Sequence, residues 1–194
     1  MNTSLWAYYK ALAEFKTKKS IEVLTTMDPD FIHNLKTKYK KEDTLIIPIS
    51  KSGNTVGVLE SLLQFEDYPT LVITSDNNSA LRQIVRTKKL DFLEHANIGG
   101  RYSGTSETAY LPAKLLGLDI NKIDKGARRM YRKCSPKSKN NPALDLSIAL
   151  DFLEFNGFTE IFMPVYKEKL QGFVNLIIQL IHESSCKHNR GQTI

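Results

Sequence analysis

Short apolar runs alternate with helical periods through the first half of the chain, and this alternation limits the possible fold more than any other feature. Residues 45–49 and 71–73 are continuous apolar runs within strands predicted over 45–50 and 71–74, as expected of strands that are buried on both faces. Each run is followed by apolar residues at helical spacing, over 55–65 and 80–88. Strands joined by helices in this way predict an α/β fold, a three-layer αβα sandwich around a mostly parallel sheet.

The remaining periodicity extends this prediction to the rest of the chain. The runs at 21–25 and 161–165 are predicted as two further strands. Helices are predicted over residues 31–39, 105–116, 119–134, 142–155 and 170–185. The second half is therefore expected to be more helical than the first.

A hydroxyl-rich loop follows the strand predicted at 45–50. It reads Ser50-Lys51-Ser52-Gly53-Asn54-Thr55 and leads directly into a predicted helix. The N–H groups and dipole of a helix N-terminus favour an anion, and this loop adds hydroxyl, ammonium and amide donors. Because the loop lacks the glycine patterns of nucleotide-binding loops, a sugar phosphate is favoured over a nucleotide. The alternative is purely structural, with Ser52 capping the helix and Gly53 relieving a turn.

Composition argues against several classes of function. The 194 residues carry a net charge of +6, but the basic clusters are not interleaved with aromatic residues in a stacking pattern. No apolar run approaches the roughly 20 residues that span a bilayer, and Cys134 and Cys186 lack metal-ligand spacing. We expect a cytoplasmic protein with no membrane contact, no nucleic-acid partner and no metal. A basic nucleic-acid binder stays an alternative, which predicts a steep salt dependence of affinity.

Three segments resemble motifs of one family, and they occur in that family's order. The loop at 50–55 is similar to the phosphate loop of the sugar isomerase domain found in glucose-6-phosphate isomerases. Residues 98–103, Ile-Gly-Gly-Arg-Tyr-Ser, resemble the family's Gly-Gly-Arg-Tyr/Phe-Ser motif. Residues 179–184, Gln-Leu-Ile-His-Glu-Ser, resemble its Gln-x-x-x-Glu-Ser motif. The resemblance covers nearly the whole chain.

The resemblance implies an isomerase that interconverts glucose 6-phosphate and fructose 6-phosphate through a cis-enediol, without a cofactor. This reaction needs a base that moves a proton between C1 and C2, a cation beside the enediolate and donors for the phosphate. By resemblance, Glu183 is the base and Arg101 stabilises the enediolate. The residues implied in binding the substrate or its phosphate are Ser50, Lys51, Ser52, Asn54, Thr55, Gly100 and Gln179. The family also implies a homodimer and a role in glycolysis and gluconeogenesis.

The chain departs from the family's pattern in several places. Asn54 replaces a threonine, and the run at 104–107, Gly-Thr-Ser-Glu, differs from the one that usually follows the Gly-Gly-Arg motif. The family's first strand with its serine loop, its ring-opening histidine and its C-terminal lysine have no match here. We therefore expect a chain truncated at both ends, in which Thr3 or Ser4 substitutes for that serine. His182 is expected at the surface, and His95 has no assigned role.

The same resemblance divides the chain and leaves two functions open. Residues 1–134 are expected to form a sugar isomerase domain with the phosphate and Gly-Gly-Arg loops. Residues 135–194 are expected to begin a second α/β portion that ends in the helix of Glu183. The chain is then either an isomerase, or a module or inactive fragment that binds sugar phosphates without catalysis.

Overall fold

The computed structural model describes residues 3–13, 18–188 and 190–194, which fall into two compact units. Unit 1 is Ile21–Thr108, and unit 2 combines the described residues of 3–20 with Ala109–Ile194. The boundary expected at residue 134 lies inside unit 2. The assignment of residues 1–134 and 135–194 to family domains stays a prediction.

The regular elements of both units follow the chain in a simple order. The α-helices are α1 Thr3–Tyr8, α2 Pro29–Lys38, α3 Val56–Gln64, α4 Ala80–Lys88, α5 Glu107–Leu115, α6 Ile120–Lys133, α7 Pro142–Phe155 and α8 Gly172–Ser185. The strands are β1 Ile49–Ser50, β2 Leu71–Thr74 and β3 Asp91–Glu94. Each helix that the periodicity predicts is present, with its ends shifted by a few residues at most.

The alternation in unit 1 produces a parallel sheet. Its strands lie in the order β1-β2-β3, and both neighbouring pairs run parallel. Ser50 pairs with Thr74, and Thr74 pairs with Glu94 on its other side, so the three strands end at one edge. The helices α3 and α4 provide the crossovers that parallel pairing requires. The predicted α/β class is confirmed.

Side-chain caps explain where two of the helices begin. Asp28 Oδ1 accepts hydrogen bonds from the backbone N–H groups of Asp30 and Phe31, at 2.9 and 3.3 Å, just before α2. Asn141 Oδ1 accepts two bonds of 3.1 Å from the first turn of α7. Such caps satisfy N–H groups that have no partner within the helix, and each is worth about 1 kcal/mol.

The strand predictions need correction at several places. Residues 21–25 form no strand, and residues 161–165 are paired only through an isolated parallel bridge between Glu160 and Thr193. The run at 45–50 is a strand only over its last two residues, since Pro48 has no N–H to donate to a sheet. Strand β3 lies outside the predicted strands, because two of its four residues are acidic. In each case, pairing with a neighbouring segment decides whether a strand forms, and the strand propensity of the residues alone does not.

The core of unit 1 lies where α3 and α4 pack against β2. One buried cluster joins these three elements and consists of Leu62, Val72, Leu81 and Val85. A second cluster, of Ile32, Leu35 and Phe65, joins α2 to the end of α3. Burying side chains of this size stabilises the fold by roughly 1.5–3 kcal/mol each. The first cluster therefore holds α3 and α4 firmly beside the edge where the loop at 50–55 begins.

Unit 2 is mainly helical, and its closest packing is between α1 and α8. Gly172, the first residue of α8, is buried, and a Cβ atom there would lie 2.9 Å from the Cα of Ala7 and 3.0 Å from the carbonyl oxygen of Trp6. The missing side chain thus permits the helices to approach. Among the described residues, no helix combines the length and apolar character needed to cross a membrane.

Candidate functional site

The loop at 50–55 gathers three hydroxyl groups at the carboxyl end of β1. The Oγ of Ser50 lies 2.9 Å from Oγ1 of Thr55 and 3.5 Å from Oγ of Ser52. The backbone N–H of Gly53 donates to Ser50 Oγ at 3.1 Å and tightens the loop around this buried hydroxyl. Ser52 and Thr55 are exposed, so the hydroxyl cluster is open to a solute.

The N-terminus of α3 completes the loop as an anion-binding arrangement. Thr55 occupies the N-cap position, but its side chain makes no cap hydrogen bond. Its hydroxyl instead contacts Ser50. The structural alternative for Ser52 is therefore wrong, because Ser52 Oγ accepts from the N–H of Asn54 and does not cap α3. The N–H of Val58 already donates to the carbonyl of Thr55, but with no side-chain cap the N–H groups of the exposed Val56 and Gly57, and the helix dipole, stay available to an anion.

Gly53 has the backbone role that the sequence suggests. Its φ is +68°, in the left-handed region that favours glycine. A Cβ atom at this position would lie 1.9 Å from Ser79 Oγ and 3.0 Å from Thr74 Oγ1. The loop therefore fits against the first turn of α4 only because residue 53 has no side chain.

The start of α4 also holds the loop by hydrogen bonds. Asn54 Oδ1 accepts from the N–H of Ala80 at 3.0 Å, so this amide orients the loop and leaves its NH₂ group as the remaining donor. Asn77 Nδ2 donates to the carbonyl of Ser52 at 3.2 Å. Asn77 is absent from the predicted site residues. The signal that could have identified it is the polar run at 75–79, which follows β2 at the same edge of the sheet.

The carboxylate of Asp76, which lies in the polar run at 75–79 beside this loop, is paired with two arginines. Asp76 accepts a hydrogen bond of 2.8 Å from Arg82 Nε and lies 3.5 Å from Arg86. The Arg82 guanidinium holds the pKa of the Asp76 carboxyl below its usual range. Lys51 is exposed in the loop itself. The cationic side chains thus offset the one acidic group of the 75–79 run.

The Gly-Gly-Arg segment follows β3 and starts from the same edge of the sheet. Residues Gly100–Thr105 form a 3₁₀ helix, and Arg101 is exposed in its first turn. Apart from its own helix backbone and its chain neighbours, no atom of the described residues lies within 4 Å of the position that a Cβ of Gly100 would take. Packing therefore does not require glycine at residue 100, and the open space is compatible with a ligand that approaches the backbone.

In unit 2, the predicted base is linked to two other polar side chains. Gln179 Nε2 donates to Glu183 Oε1 at 2.8 Å across one turn of α8. Thr3 Oγ1 donates to Gln179 Oε1 at 2.9 Å. Gln179 is half-buried between the buried Thr3 and the exposed Glu183. Thr3, rather than Ser4, thus joins the predicted glutamine–glutamate pair, although its proposed replacement of a family serine stays a prediction.

The structure locates two histidines that the site predictions left out, and one of them differs from expectation. His182 is half-buried rather than at the surface, and its Nε2 atom is buried without a hydrogen-bond partner among the described residues. His95, which had no assigned role, is buried at the end of β3. Among the described residues, no group of three or more His, Cys, Asp or Glu side chains could hold a metal ion.

The predicted site residues thus fall into two groups. Ser50, Ser52 and Thr55 converge in unit 1, which also contains Lys51, Asn54, Gly100 and Arg101. Gln179 and Glu183 are hydrogen-bonded to each other in unit 2. The chemical roles assigned to all of these residues stay predictions.

Comparison with known proteins shows which enzymes the chain is similar to. A probable glucose-6-phosphate isomerase of Methanococcus maripaludis is 30% identical over 89% of this chain and 42% of the relative. A glucose-6-phosphate isomerase of Prochlorococcus marinus is 34% identical over 86% of this chain and 35% of the relative. Over most of its own length, the chain is similar in sequence to glucose-6-phosphate isomerases. It spans less than half the length of these curated relatives, and no protein-family model matches it.

Solved structures share the fold. A hypothetical protein of Thermus thermophilus superimposes with a TM-score of 0.85 at 24% identity, over 100% of this chain and 50% of that protein. A glucose-6-phosphate isomerase of Chlamydia trachomatis superimposes with a TM-score of 0.78 at 21% identity, over 99% of this chain and 40% of that protein. At this level of identity the similarity establishes the α/β fold and no more.

Proposed function

We propose that this chain binds a hexose 6-phosphate and carries out the proton transfer of a glucose-6-phosphate isomerase. The observation that carries the proposal is the loop at 50–55. It joins a cluster of three hydroxyls to an uncapped helix N-terminus in a chain similar in sequence to these enzymes. Such a site suits the dianionic phosphate of a sugar phosphate.

The proposed chemistry needs no cofactor, because the proton that leaves one carbon returns to its neighbour. Glu183 takes a proton from C2 of open-chain glucose 6-phosphate and returns it to C1, while the hydroxyl proton of O2 moves to O1, and the intermediate is a cis-enediolate. Arg101, which is always charged, stabilises the negative oxygen that develops. Gln179 orients the Glu183 carboxylate through its 2.8 Å hydrogen bond, and Ser50, Lys51, Ser52, Asn54 and Thr55 hold the phosphate.

The cellular context belongs to the same proposal. The proposed role is in glycolysis and gluconeogenesis, and the proposed state is a cytoplasmic homodimer with a sugar phosphate as its small-molecule partner. Neither a nucleic acid nor a membrane is proposed as a partner. Gly100 is proposed to let the substrate approach the backbone, since in the described part of the chain no side chain fills the space beside it.

A second candidate function is a module that binds sugar phosphates without turning them over. The observation behind it is the loop at 50–55 itself, whose hydroxyls and helix N-terminus suit a phosphate whether or not Glu183 acts as a base. In this case the loop at 50–55 would matter for binding and Glu183 would not matter.

Solvent deuterium incorporation at C2 of glucose 6-phosphate, followed by proton NMR, separates the two functions. For the isomerase, Glu183→Gln should slow exchange by about 10²–10⁴-fold, because the base is lost, and should leave sugar-phosphate affinity nearly unchanged. Glu168→Gln, at another exposed glutamate of unit 2, is the matched control and should behave as wild type.

Each remaining result has one meaning. Binding without exchange by the wild-type chain supports the module. Exchange that survives in Glu183→Gln removes this residue from the mechanism. A folded chain that binds no sugar phosphate contradicts both functions.

A further inference from the structure

The backbone of Ala96 is held from both sides by two polar side chains. His95 Nδ1 lies 2.7 Å from the carbonyl oxygen of Ala96, and because a carbonyl only accepts, Nδ1 carries the hydrogen. The N–H of Ala96 donates to Glu107 Oε1 at 2.8 Å. The same carboxylate oxygen lies 3.7 Å from His95 Nδ1. We refer to His95, Ala96 and Glu107 as the clasp.

His95 is buried and its two partners in the clasp are half-buried, so water competes little for their hydrogen bonds. His95 is 5% exposed, and the side chain of Glu107 is 21% exposed. Polar groups removed from water cost free energy unless they are hydrogen-bonded, so loss of one member leaves the others unsatisfied. Glu107 is also the first residue of α5, where the helix dipole favours a negative charge.

The clasp closes a loop that contains the whole Gly-Gly-Arg segment. Its two ends are Ala96 and Glu107, and Arg101 lies almost midway between them. Inside the loop, the carbonyl of Ser103 accepts hydrogen bonds from Ser106 Oγ at 2.8 Å and from Thr108 Oγ1 at 3.0 Å. Ser103 Oγ in turn donates to the carbonyl of Gly100 at 2.7 Å.

These supports come partly from residues that depart from the resembled motif. Ser106 and Glu107 belong to the run at 104–107 that differs from the family's usual sequence. Both side chains make hydrogen bonds within the loop. The residues that differ from the motif therefore make hydrogen bonds that support the segment of Arg101.

From this arrangement we infer that His95 and Glu107 are positioning residues, which hold the 96–107 loop so that Arg101 presents its guanidinium to a planar anionic group of the ligand. The inference rests on the proposed function for the role of Arg101. The ligand class is a sugar phosphate that carries a carboxylate or enediolate at the end opposite the phosphate. A guanidinium binds such a planar pair of oxygens best when its own position is fixed.

Two probes that differ only at that end test the inference. Arabinonate 5-phosphate carries a carboxylate that resembles the two oxygens of an enediolate, whereas arabitol 5-phosphate carries a neutral alcohol there. Both carry the same phosphate for the loop at 50–55. We expect the wild-type chain to prefer the carboxylate by about tenfold or more, as measured by calorimetry, since a charge-assisted bond is gained.

Substitutions of Arg101 and of the clasp residue Glu107 should then change this preference in a specific way. Arg101→Ala and Glu107→Ala should each abolish the preference and leave the affinity for arabitol 5-phosphate nearly unchanged. Glu107→Gln keeps an oxygen that accepts from Ala96, so it should retain most of the preference. The double variant should be no worse than Arg101→Ala, because both changes remove one interaction.

Hydrogen exchange, followed by mass spectrometry, provides the second measurement. Glu107→Ala should speed exchange over residues 96–106 and leave β2 as protected as in the wild type. If Glu107→Ala does not fold, His95→Ala serves in its place, with His95→Asn as the conservative variant that keeps a donor near Nδ1.

Three results would overturn the inference. They are an unchanged carboxylate preference in Glu107→Ala, effects of the two substitutions that add in the double variant, and faster exchange throughout unit 1. A wild-type chain that binds neither probe would overturn the proposed function instead, and exchange over 96–106 would then decide the inference alone.

Discussion

The two units contain similar apolar side chains and bury them very differently. In unit 1, Val72 and Leu81 are completely buried between the sheet and its helices. In unit 2, the helix α7 has no buried residue, and Leu146 and Phe155 are 59% and 87% exposed. Because the hydrophobic contribution depends on area removed from water, the same residue types stabilise unit 1 far more than they stabilise α7. Hydrophobic content alone thus does not locate the stability of this chain.

The two units also differ in whether an extended segment finds a strand to pair with. Asp91–Glu94 has only two apolar residues, yet it is a full strand because all four residues pair with β2. Residues 161–165 have a stronger strand sequence, Ile-Phe-Met-Pro-Val, yet are paired only at the bridge that precedes them. Strand formation depends on a partner's N–H and C=O groups, which lie far away in the sequence.

The largest expected effect tests the difference in burial directly. Leu81→Ala should lower the free energy of unfolding by about 2–5 kcal/mol, because it leaves a cavity in the cluster with Leu62 and Val85. Leu146→Ala on α7 is the matched control and should change it by less than about 0.5 kcal/mol. Urea denaturation followed by circular dichroism measures both. Equal losses would mean that Leu146 is covered in solution and would break the comparison.

A smaller effect is expected from two glycines, one in the loop at 50–55 and one just after it. Gly53→Ala should destabilise unit 1 by about 1–3 kcal/mol, because φ is +68° and the new Cβ meets Ser79. Gly57→Ala, at the second residue of α3 with open space around it, should instead stabilise the helix by about 0.5–1 kcal/mol. Thermal unfolding of both variants checks the prediction. A similar melting temperature for the two would show that the loop does not require glycine at residue 53.

The smallest effect concerns unit 2 at high pH. Burial, followed by the nearby Tyr110, raises the pKa of Tyr8 to about 12, whereas an exposed tyrosine titrates near 10. The raised pKa favours the protonated form in the folded state, so this contribution is complete below pH 10 and is lost as the pH rises towards 12. Tyr8→Phe should flatten the decline in stability over this window.

The matched control for that measurement is Tyr166→Phe, since Tyr166 is 92% exposed. It should leave the pH dependence of stability unchanged. Stability profiles taken from pH 8 to 12 by chemical denaturation compare the two variants. An identical decline in Tyr8→Phe and in the wild type would mean that Tyr8 is hydrated in solution.

Much of the candidate site could be predicted because its signals are local. Ser50, Ser52 and Thr55 lie within six residues, so the turn at Gly53 is enough to bring their hydroxyls together. Gln179 and Glu183 are one helical turn apart, and helix geometry alone puts them on one face. The contacts of Thr3 with Gln179 and of Asn77 with Ser52 could not be predicted, because each joins elements that are distant in sequence.

The amino-acid sequence by itself determined the helices, their caps, the turn of the loop at 50–55 and the α/β class, since these depend on periodicity and on neighbours within a few residues. Only the tertiary structure decided which extended segments became strands, how Asn77 holds the carbonyl of Ser52 and how His95 and Glu107 hold the loop of Arg101. The physical reason is the range of the interactions. Helical hydrogen bonds and caps close within one turn, whereas sheet pairing, burial and buried polar contacts require partners that only the folded chain brings together.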